Sequence, residues 1–293
     1  MNLTDLSTVR DVMERFGICT KKKYGQNFLI TASVPERIAE EGIGNENCGV
    51  LEIGPGIGTL TTSLCKRVKK VVAVEIDETL IPVLDYTLAE FDNVTVINRD
   101  ILKTPLQPLL EEHFSDCDGI YVCANLPYYI TSDILMYLIE SGLPFRAITV
   151  MVQKEFADRI VAPAGSSDYG AVTAAVQYFG NPKKLFKVAA GNFLPAPKVD
   201  SAVLRIDLYE DRPVKPQNEA QFRRIIRLAF EQRRKTLVNA LAGGIPLSKE
   251  AMADILVSLS LPADVRGEKL SVQQFALISD RITDALEKDR QFK

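Results

Sequence analysis

The tetrapeptide Asn125-Leu126-Pro127-Tyr128 puts an amide, a restricted leucine and an aromatic ring side by side. Those groups suit chemistry at a weakly nucleophilic exocyclic amine such as adenine N6, whose lone pair delocalises into the ring. An Asn side-chain oxygen and a backbone carbonyl can each accept one N–H, turning the amine toward an electrophilic methyl group. Pro127 restricts the conformation of Leu126 and helps aim its carbonyl. Tyr128 offers a face on which an extruded base can stack. In-line placement supplies proximity and orientation, with no metal and no strongly perturbed base required. Taken alone, the tetrapeptide also reads as a turn at a strand end, with Tyr128 and Tyr129 as core aromatics.

A second set of residues suits a nucleoside cofactor. Glu52-Ile53-Gly54-Pro55-Gly56-Ile57-Gly58-Thr59 runs from a strand through a glycine-rich turn into a helix, where glycines let a ligand approach the backbone closely. The spacing is G-x-G-x-G and not the G-x-G-x-x-G of dinucleotide sites. Glu75 ends the next strand, 21 residues after Gly54, where a carboxylate can accept from both ribose hydroxyls. Asp100 follows a third strand and can accept from the amino group of a cofactor adenine. Each acid alone reads as a solvated loop carboxylate. Together, three successive strand ends point to a nucleoside site, with NAD as the rival cofactor.

The elements that must position these residues follow from the apolar pattern. Short runs at Val50–Ile53, Val71–Glu75, Val94–Ile97, Gly119–Cys123 and Ala147–Met151 alternate with amphipathic stretches such as Thr59–Val68 and Thr79–Glu90. That rhythm predicts an α/β fold, parallel strands with crossover helices on both faces. Ser201–Leu208 reads as a later strand. Asp211-Arg212-Pro213-Val214-Lys215-Pro216 reads as a linker. Beyond it only helical patterns follow, at Glu219–Ala242, Lys249–Leu259 and Ser271–Leu286. The expected division is residues 1–211 and 212–293.

Composition narrows the classes. The chain has 293 residues and a formal net charge of -3, which does not by itself announce a nucleic-acid binder. Cys19, Cys48, Cys65, Cys117 and Cys123 show no C-x-x-C spacing, and His113 has no cysteine nearby at metal-ligand spacing, so reduced thiols in a cytoplasmic protein are expected and no metal site. The polar start Met1–Asp11 and the lack of a run of about 20 apolar residues fit the same compartment.

These motifs, taken in order, resemble the bacterial small-subunit ribosomal RNA adenine N6,N6-dimethyltransferase family. The resemblance spans nearly the whole chain. It rests on Lys23-Tyr24-Gly25-Gln26-Asn27-Phe28-Leu29, Glu52–Gly58, Val74-Glu75-Ile76-Asp77, Asp100, Asn125–Tyr128 and Phe193-Leu194-Pro195-Ala196-Pro197-Lys198-Val199-Asp200-Ser201, with no departure at the motif positions. It implies a Rossmann-like methyltransferase fold with a small all-α C-terminal domain that binds RNA or the ribosome. It implies S-adenosyl-L-methionine as cofactor. Asn27 and Leu29 are expected at its methionine end, and Gly54, Gly56, Glu75, Ile76, Asp100 and Ile101 around the rest, with Asn125 touching both cofactor and target amine. Phe193 is expected to pair with Tyr128 around the target adenine. The implied substrate is 16S rRNA in the small subunit or its precursor, dimethylated at two adjacent adenosines near the 3′ end during late assembly, by a monomer.

Local charge agrees with an RNA partner. From Arg212 to Lys235 eight basic residues (Arg212, Lys215, Arg223, Arg224, Arg227, Arg233, Arg234, Lys235) face two acids, Glu219 and Glu231, and Lys21–Lys23 adds a patch beside the N-terminal motif. Such clusters bind phosphate with salt-dependent affinity, although each charge also reads as a solvated helix face. Three other readings stand beside the first: a large-subunit rRNA adenine methyltransferase of the macrolide-resistance type, a non-catalytic assembly factor, and an NAD-dependent oxidoreductase.

Overall fold

The computed structural model describes residues 1–18 and 26–291. Cys19, the Lys21–Lys23 patch and the first three residues of the N-terminal motif, Lys23-Tyr24-Gly25, lie outside them. In chain order the elements are α1 (Leu6–Arg15), β1 (Phe28–Leu29), α2 (Ser33–Glu41), β2 (Gly49–Ile53), α3 (Thr59–Cys65), β3 (Lys70–Glu75), α4 (Ile81–Thr87), β4 (Val94–Asn98), α5 (Leu106–Phe114), β5 (Ile120–Asn125), α6 (Thr131–Glu140), β6 (Phe145–Gln153), α7 (Lys154–Ile160), α8 (Ala171–Phe179), β7 (Gly180–Val188), β8 (Phe193–Leu194), β9 (Ser201–Leu208), α9 (Glu219–Glu231), α10 (Leu237–Leu241), α11 (Lys249–Ser258) and α12 (Val272–Gln291).

The main sheet has the strand order β4-β3-β2-β5-β6-β9-β7. Its first five strands are parallel, so the five apolar runs form the strands expected of them. β9 pairs antiparallel to β6, which the sequence pattern does not distinguish. Val50 and Val71 belong to one core cluster with Val34 and Ile38 of α2 and Leu60 and Leu64 of α3. Leu51, Val72, Val122 and Ile148 are equally buried. Because side chains alternate along a strand, they face the opposite side, and both faces of the sheet are covered. The strand order reverses between β2 and β5. Open α/β sheets bind ligands at the carboxyl ends of the strands flanking such a reversal.

The N-terminal helix is tied to this end of the sheet. Asp5 caps α1 by accepting from the Thr8 N–H at 2.9 Å. Val9 and Val12 of α1 then pack with Phe28, Ile57 of the glycine loop, Leu80 and Val83. Phe28 and Leu29 pair antiparallel with Leu194 and Phe193.

The chain forms two compact units, residues 1–157 with 182–208, and residues 158–181 with 209–293. The second therefore takes in a segment that precedes the expected boundary at 211. Its aromatic core supplies the reason. Tyr169 meets Phe230 at 5.8 Å between ring centroids, Tyr178 of α8 meets Phe222 of α9 at 4.8 Å, and Phe230 meets Phe275 of α12 at 6.1 Å. The helix expected over Glu219–Ala242 is interrupted at 232–236, where Thr236 caps α10. Arg233-Arg234-Lys235 lies in this break. Cys48, Cys65 and Cys123 are buried free thiols, and Cys117 is half-buried and free. Among the described residues no helix is long and apolar enough to cross a membrane.

Candidate active site

One cleft is lined by Gln26, Asn27, Leu29, Glu52, Gly54, Gly56, Glu75, Ile76, Asn125, Leu126, Pro127, Tyr128 and Tyr129, among others. It draws on the carboxyl ends of β2, β3 and β5 and on the segment around β1. Most of the residues expected from sequence are therefore brought together. Asp100, Ile101 and Phe193 are not among those lining it.

The glycine loop is shaped by backbone conformation. Gly54 has φ 68° and Gly58, at the N-cap of α3, has φ 90°, a left-handed region that side-chain-bearing residues rarely adopt. A Cβ placed on Gly54 meets no protein atom within 4 Å, so this turn opens onto free space. Glu75 ties the loop down. Its carboxylate accepts from the Asp77 N–H at 2.8 Å and from the Gly56 N–H at 3.3 Å. The side chain is 5% exposed, and burial raises its pKa against those two hydrogen bonds. Asp77 in turn accepts from the Gln26 amide at 3.0 Å, joining the N-terminal motif to the end of β3.

Glu52 lies beside Glu75 on the same face of the sheet, since Val50 pairs with Val71 and side chains two apart share a face. It is 1% exposed, and among the described residues its Oε2 has no hydrogen-bond partner. Burial, reinforced by the Glu75 charge, pushes its pKa up to about 8. Motif spacing assigns this residue no role. The signal for it is an acid inside an otherwise apolar strand, where charged side chains are rarely buried.

The Asn125–Tyr128 tetrapeptide begins on the last residue of β5. Asn125 Nδ2 donates to the Asn27 carbonyl at 3.2 Å, which leaves Oδ1 as an open acceptor. Leu126 is buried and its N–H donates to the Met151 carbonyl at 3.1 Å. No described group donates to the Leu126 carbonyl. The Pro127 carbonyl is taken, accepting from the Ile130 N–H at 3.3 Å and the Thr131 hydroxyl at 3.0 Å. Two acceptors, one side-chain and one main-chain, thus stand open on consecutive residues.

Tyr128 is half-buried and its phenol lies 2.7 Å from the Ser201 hydroxyl. Burial raises the phenol pKa, with the Ser201 hydrogen bond opposing. Ser201, the last residue of the late motif, is fully buried. Phe193 is 3% exposed and belongs to the cluster containing Leu29, Val188, Met151 and Val203. It makes no ring contact with Tyr128. Asp100 accepts from the Leu102 N–H at 3.1 Å and lies 3.5 Å from the Lys103 ammonium, and Ile101 beside it is buried.

The basic run of the second unit is largely committed to its own acids. Arg212 and Arg223 pair with Glu219, Lys215 with Asp211, Arg227 with Glu231 and Arg233 with Glu268. Arg224, Arg234 and Lys235 are exposed and, among the described residues, without an acidic partner.

Comparison with known proteins accords with this geometry. Residues 18–284 match the family model of the ribosomal RNA adenine dimethylases. A ribosomal RNA small subunit methyltransferase A of Bacillus licheniformis is 44% identical over 280 residues, covering 94% of this chain and 96% of that protein. Its counterpart in Lachnoclostridium phytofermentans is 46% identical, covering 97% and 99%. Among solved structures, a dimethyladenosine transferase from Plasmodium falciparum superposes with a TM-score of 0.72 at 26% identity, covering 90% of this chain and 98% of that one. The 23S rRNA methyltransferase ErmE superposes with a TM-score of 0.66 at 24% identity, covering 88% and 100%, a likeness of fold.

Proposed function

The chain belongs to the ribosomal RNA adenine dimethylase family, and from that premise we propose that it dimethylates the N6 of two adjacent adenosines near the 3′ end of 16S rRNA in the small ribosomal subunit. The cofactor is S-adenosylmethionine, the setting is late assembly of the subunit in the cytoplasm, and the working form is a monomer. The observation that carries the reading is the pair of open acceptors, Asn125 Oδ1 and the Leu126 carbonyl, on residues that line a cleft built on three strand ends.

The residues present fit the cofactor. Gly54 opens onto free space, and the unpartnered Glu52 oxygen suits a ligand with a polar group to hydrogen-bond. Glu75 would hold the ribose hydroxyls, Ile76 and Asp100 with Ile101 the adenine, and Asn27 and Leu29 the methionine end. When bound, S-adenosylmethionine supplies an electrophilic sulfonium methyl.

Asn125 and Leu126 do the orienting. With Nδ2 held by Asn27, Oδ1 accepts one N–H of the target amine and the Leu126 carbonyl accepts the other. The nitrogen lone pair is then turned out of conjugation and toward the methyl. Tyr128, its phenol tethered to Ser201, gives the base a face to stack on. Because one N–H is exchanged for a methyl at each transfer, the second transfer proceeds with a single remaining N–H held. The helical region 212–293 contributes RNA contact through Arg224, Arg234 and Lys235.

The test is transfer of labelled methyl from S-adenosylmethionine to undermethylated small subunits, read by nucleoside mass spectrometry. N6,N6-dimethyladenosine in 16S rRNA is the expected product. Label confined to large subunits would replace this reading with the large-subunit enzyme. Subunit binding without any label would replace it with an assembly factor.

A further inference from the structure

Tyr128 and Tyr129 are consecutive aromatic residues with opposite fates. Tyr128 is half-buried and tethered through its phenol to Ser201. Tyr129 lines the same cleft but is 64% exposed, and among the described residues neither a hydrogen bond nor a ring contact holds it. The backbone that carries it is nonetheless fixed. The Ile130 N–H donates to the Pro127 carbonyl, so Tyr128 and Tyr129 occupy the two central positions of a turn. The Thr131 hydroxyl closes on the same carbonyl, and α6 starts at Thr131. A large ring is thus presented to solvent from a rigid mount at the rim of the cleft. A tyrosine so mounted loses little conformational freedom on binding.

We propose that Tyr129 is a stacking platform for the nucleotide next to the adenosine being methylated. This rests on the reading that the cleft takes one of two adjacent adenosines. While one base occupies the cleft against Tyr128, its neighbour is pulled out of its own stack and lies one nucleotide step away, outside. An unstacked base is sequence-tolerantly satisfied by an aromatic face, and such a contact is worth roughly five- to a hundredfold in affinity. The platform serves both rounds. Because strand polarity is kept, Tyr129 receives the nucleotide on its own side of the target in each round, the other adenosine in one round and the nucleotide flanking the pair in the other. Tyr129 therefore acts on substrate hold and register and not on the methyl transfer itself.

The test compares wild type with Tyr129→Ala, Tyr129→Leu and Tyr129→Phe on undermethylated small subunits. The readouts are KM for the subunit, kcat, cofactor affinity and the dimethylation of each adenosine separately. The Ala and Leu variants should raise KM about tenfold with a smaller loss in kcat, leave cofactor affinity intact, and lower completion at the second adenosine. Phe should stay within about twofold of wild type. A wild-type KM for Tyr129→Ala would overturn the proposal. Rescue by Leu as complete as by Phe would also overturn it, pointing to an apolar contact with a ribosomal protein. Loss of cofactor affinity would assign Tyr129 to the cofactor. Wild-type protein that leaves 16S rRNA unmodified would instead overturn the functional reading. In that event 2-aminopurine beside an adenine in a short single-stranded RNA reads the stacking independently of turnover. Stacking on Tyr129 quenches its fluorescence with wild type and not with Tyr129→Ala, and equal quenching by the two proteins would overturn the proposal.

Discussion

The phenol of Tyr128 and the hydroxyl of Ser201 lie 2.7 Å apart, joining the Asn125–Tyr128 tetrapeptide to the first residue of β9 across 73 positions of sequence. Ser201 is fully buried, so this hydroxyl has no water to turn to. The bond holds the ring on which the target base is proposed to stack. Ser201→Ala removes it and leaves the phenol oxygen partly buried without a partner, a loss of about 1 kcal/mol. The expected result is a fall in kcat/KM of about fivefold with cofactor affinity unchanged. Ser201→Thr keeps a hydroxyl and should recover much of the loss. A Ser201→Ala enzyme with wild-type kcat/KM would mean that the tether does no positioning.

Asn125 carries the larger effect. Its Nδ2 is held by Asn27, so Ala removes the oriented Oδ1 acceptor and a link to the N-terminal motif together. Removing one oriented polar contact to a reacting group costs on the order of a hundredfold or more in kcat. Asn125→Ala should bind small subunits as wild type does while losing methyl transfer by that factor. Co-sedimentation and methyl transfer, measured on the same preparation, separate the two. An unimpaired rate would refute the assigned role.

Glu75, proposed to hold the cofactor ribose, is also a strut for the glycine loop. Two main-chain N–H groups, of Gly56 and Asp77, depend on it. Glu75→Ala leaves both without that acceptor in a buried place, at about 1–3 kcal/mol. Calorimetry should find S-adenosylmethionine affinity reduced by at least tenfold and the melting temperature lowered. Glu75→Gln keeps an acceptor oxygen and should retain more stability than affinity. Equal affinities for wild type and Glu75→Ala would remove Glu75 from the site.

Much of this architecture is legible in sequence for one physical reason. Strands buried on both faces must be continuously apolar, and the five parallel strands announce themselves as Val- and Ile-rich runs. The edge strand Gly180–Val188 has no such signature. It carries Pro182, Lys183, Lys184 and Lys187, the residues that keep a sheet edge from pairing further. The early boundary of the second unit is hidden for a related reason, because Tyr169 and Tyr178 look like any amphipathic aromatic until Phe222 and Phe230 are seen against them. In the site, strand ends fix Gly54, Glu75 and Asn125 in sequence order. The bonds Asn125–Asn27 and Tyr128–Ser201 span 98 and 73 positions, and only the fold brings them together. Phe193 shows the limit of motif reading. It pairs with Leu29 and joins the buried cluster with Val188 and Met151, a placement that the motif alone does not announce.

Glu52 ties stability to pH. Its carboxyl titrates near 4.5 when the chain is unfolded and at about 8 in the folded protein, where burial disfavours the charge. Below pH 4.5 both states hold the proton and folding is unaffected by this group. Between pH 4.5 and about 8 the unfolded chain has released the proton while the folded one keeps it, so the unfolding free energy falls as pH rises, at about 1.4 kcal/mol per unit for this group alone. Above pH 8 both states are ionised and the loss is complete. Glu52→Gln cannot titrate. The difference in unfolding free energy between Glu52→Gln and wild type should therefore shift in favour of the variant by a few kcal/mol from pH 4.5 to 8 and then level off. Denaturant melts at half-unit pH steps measure it, and a difference that stays flat across that window would show that Glu52 is already ionised in the folded protein.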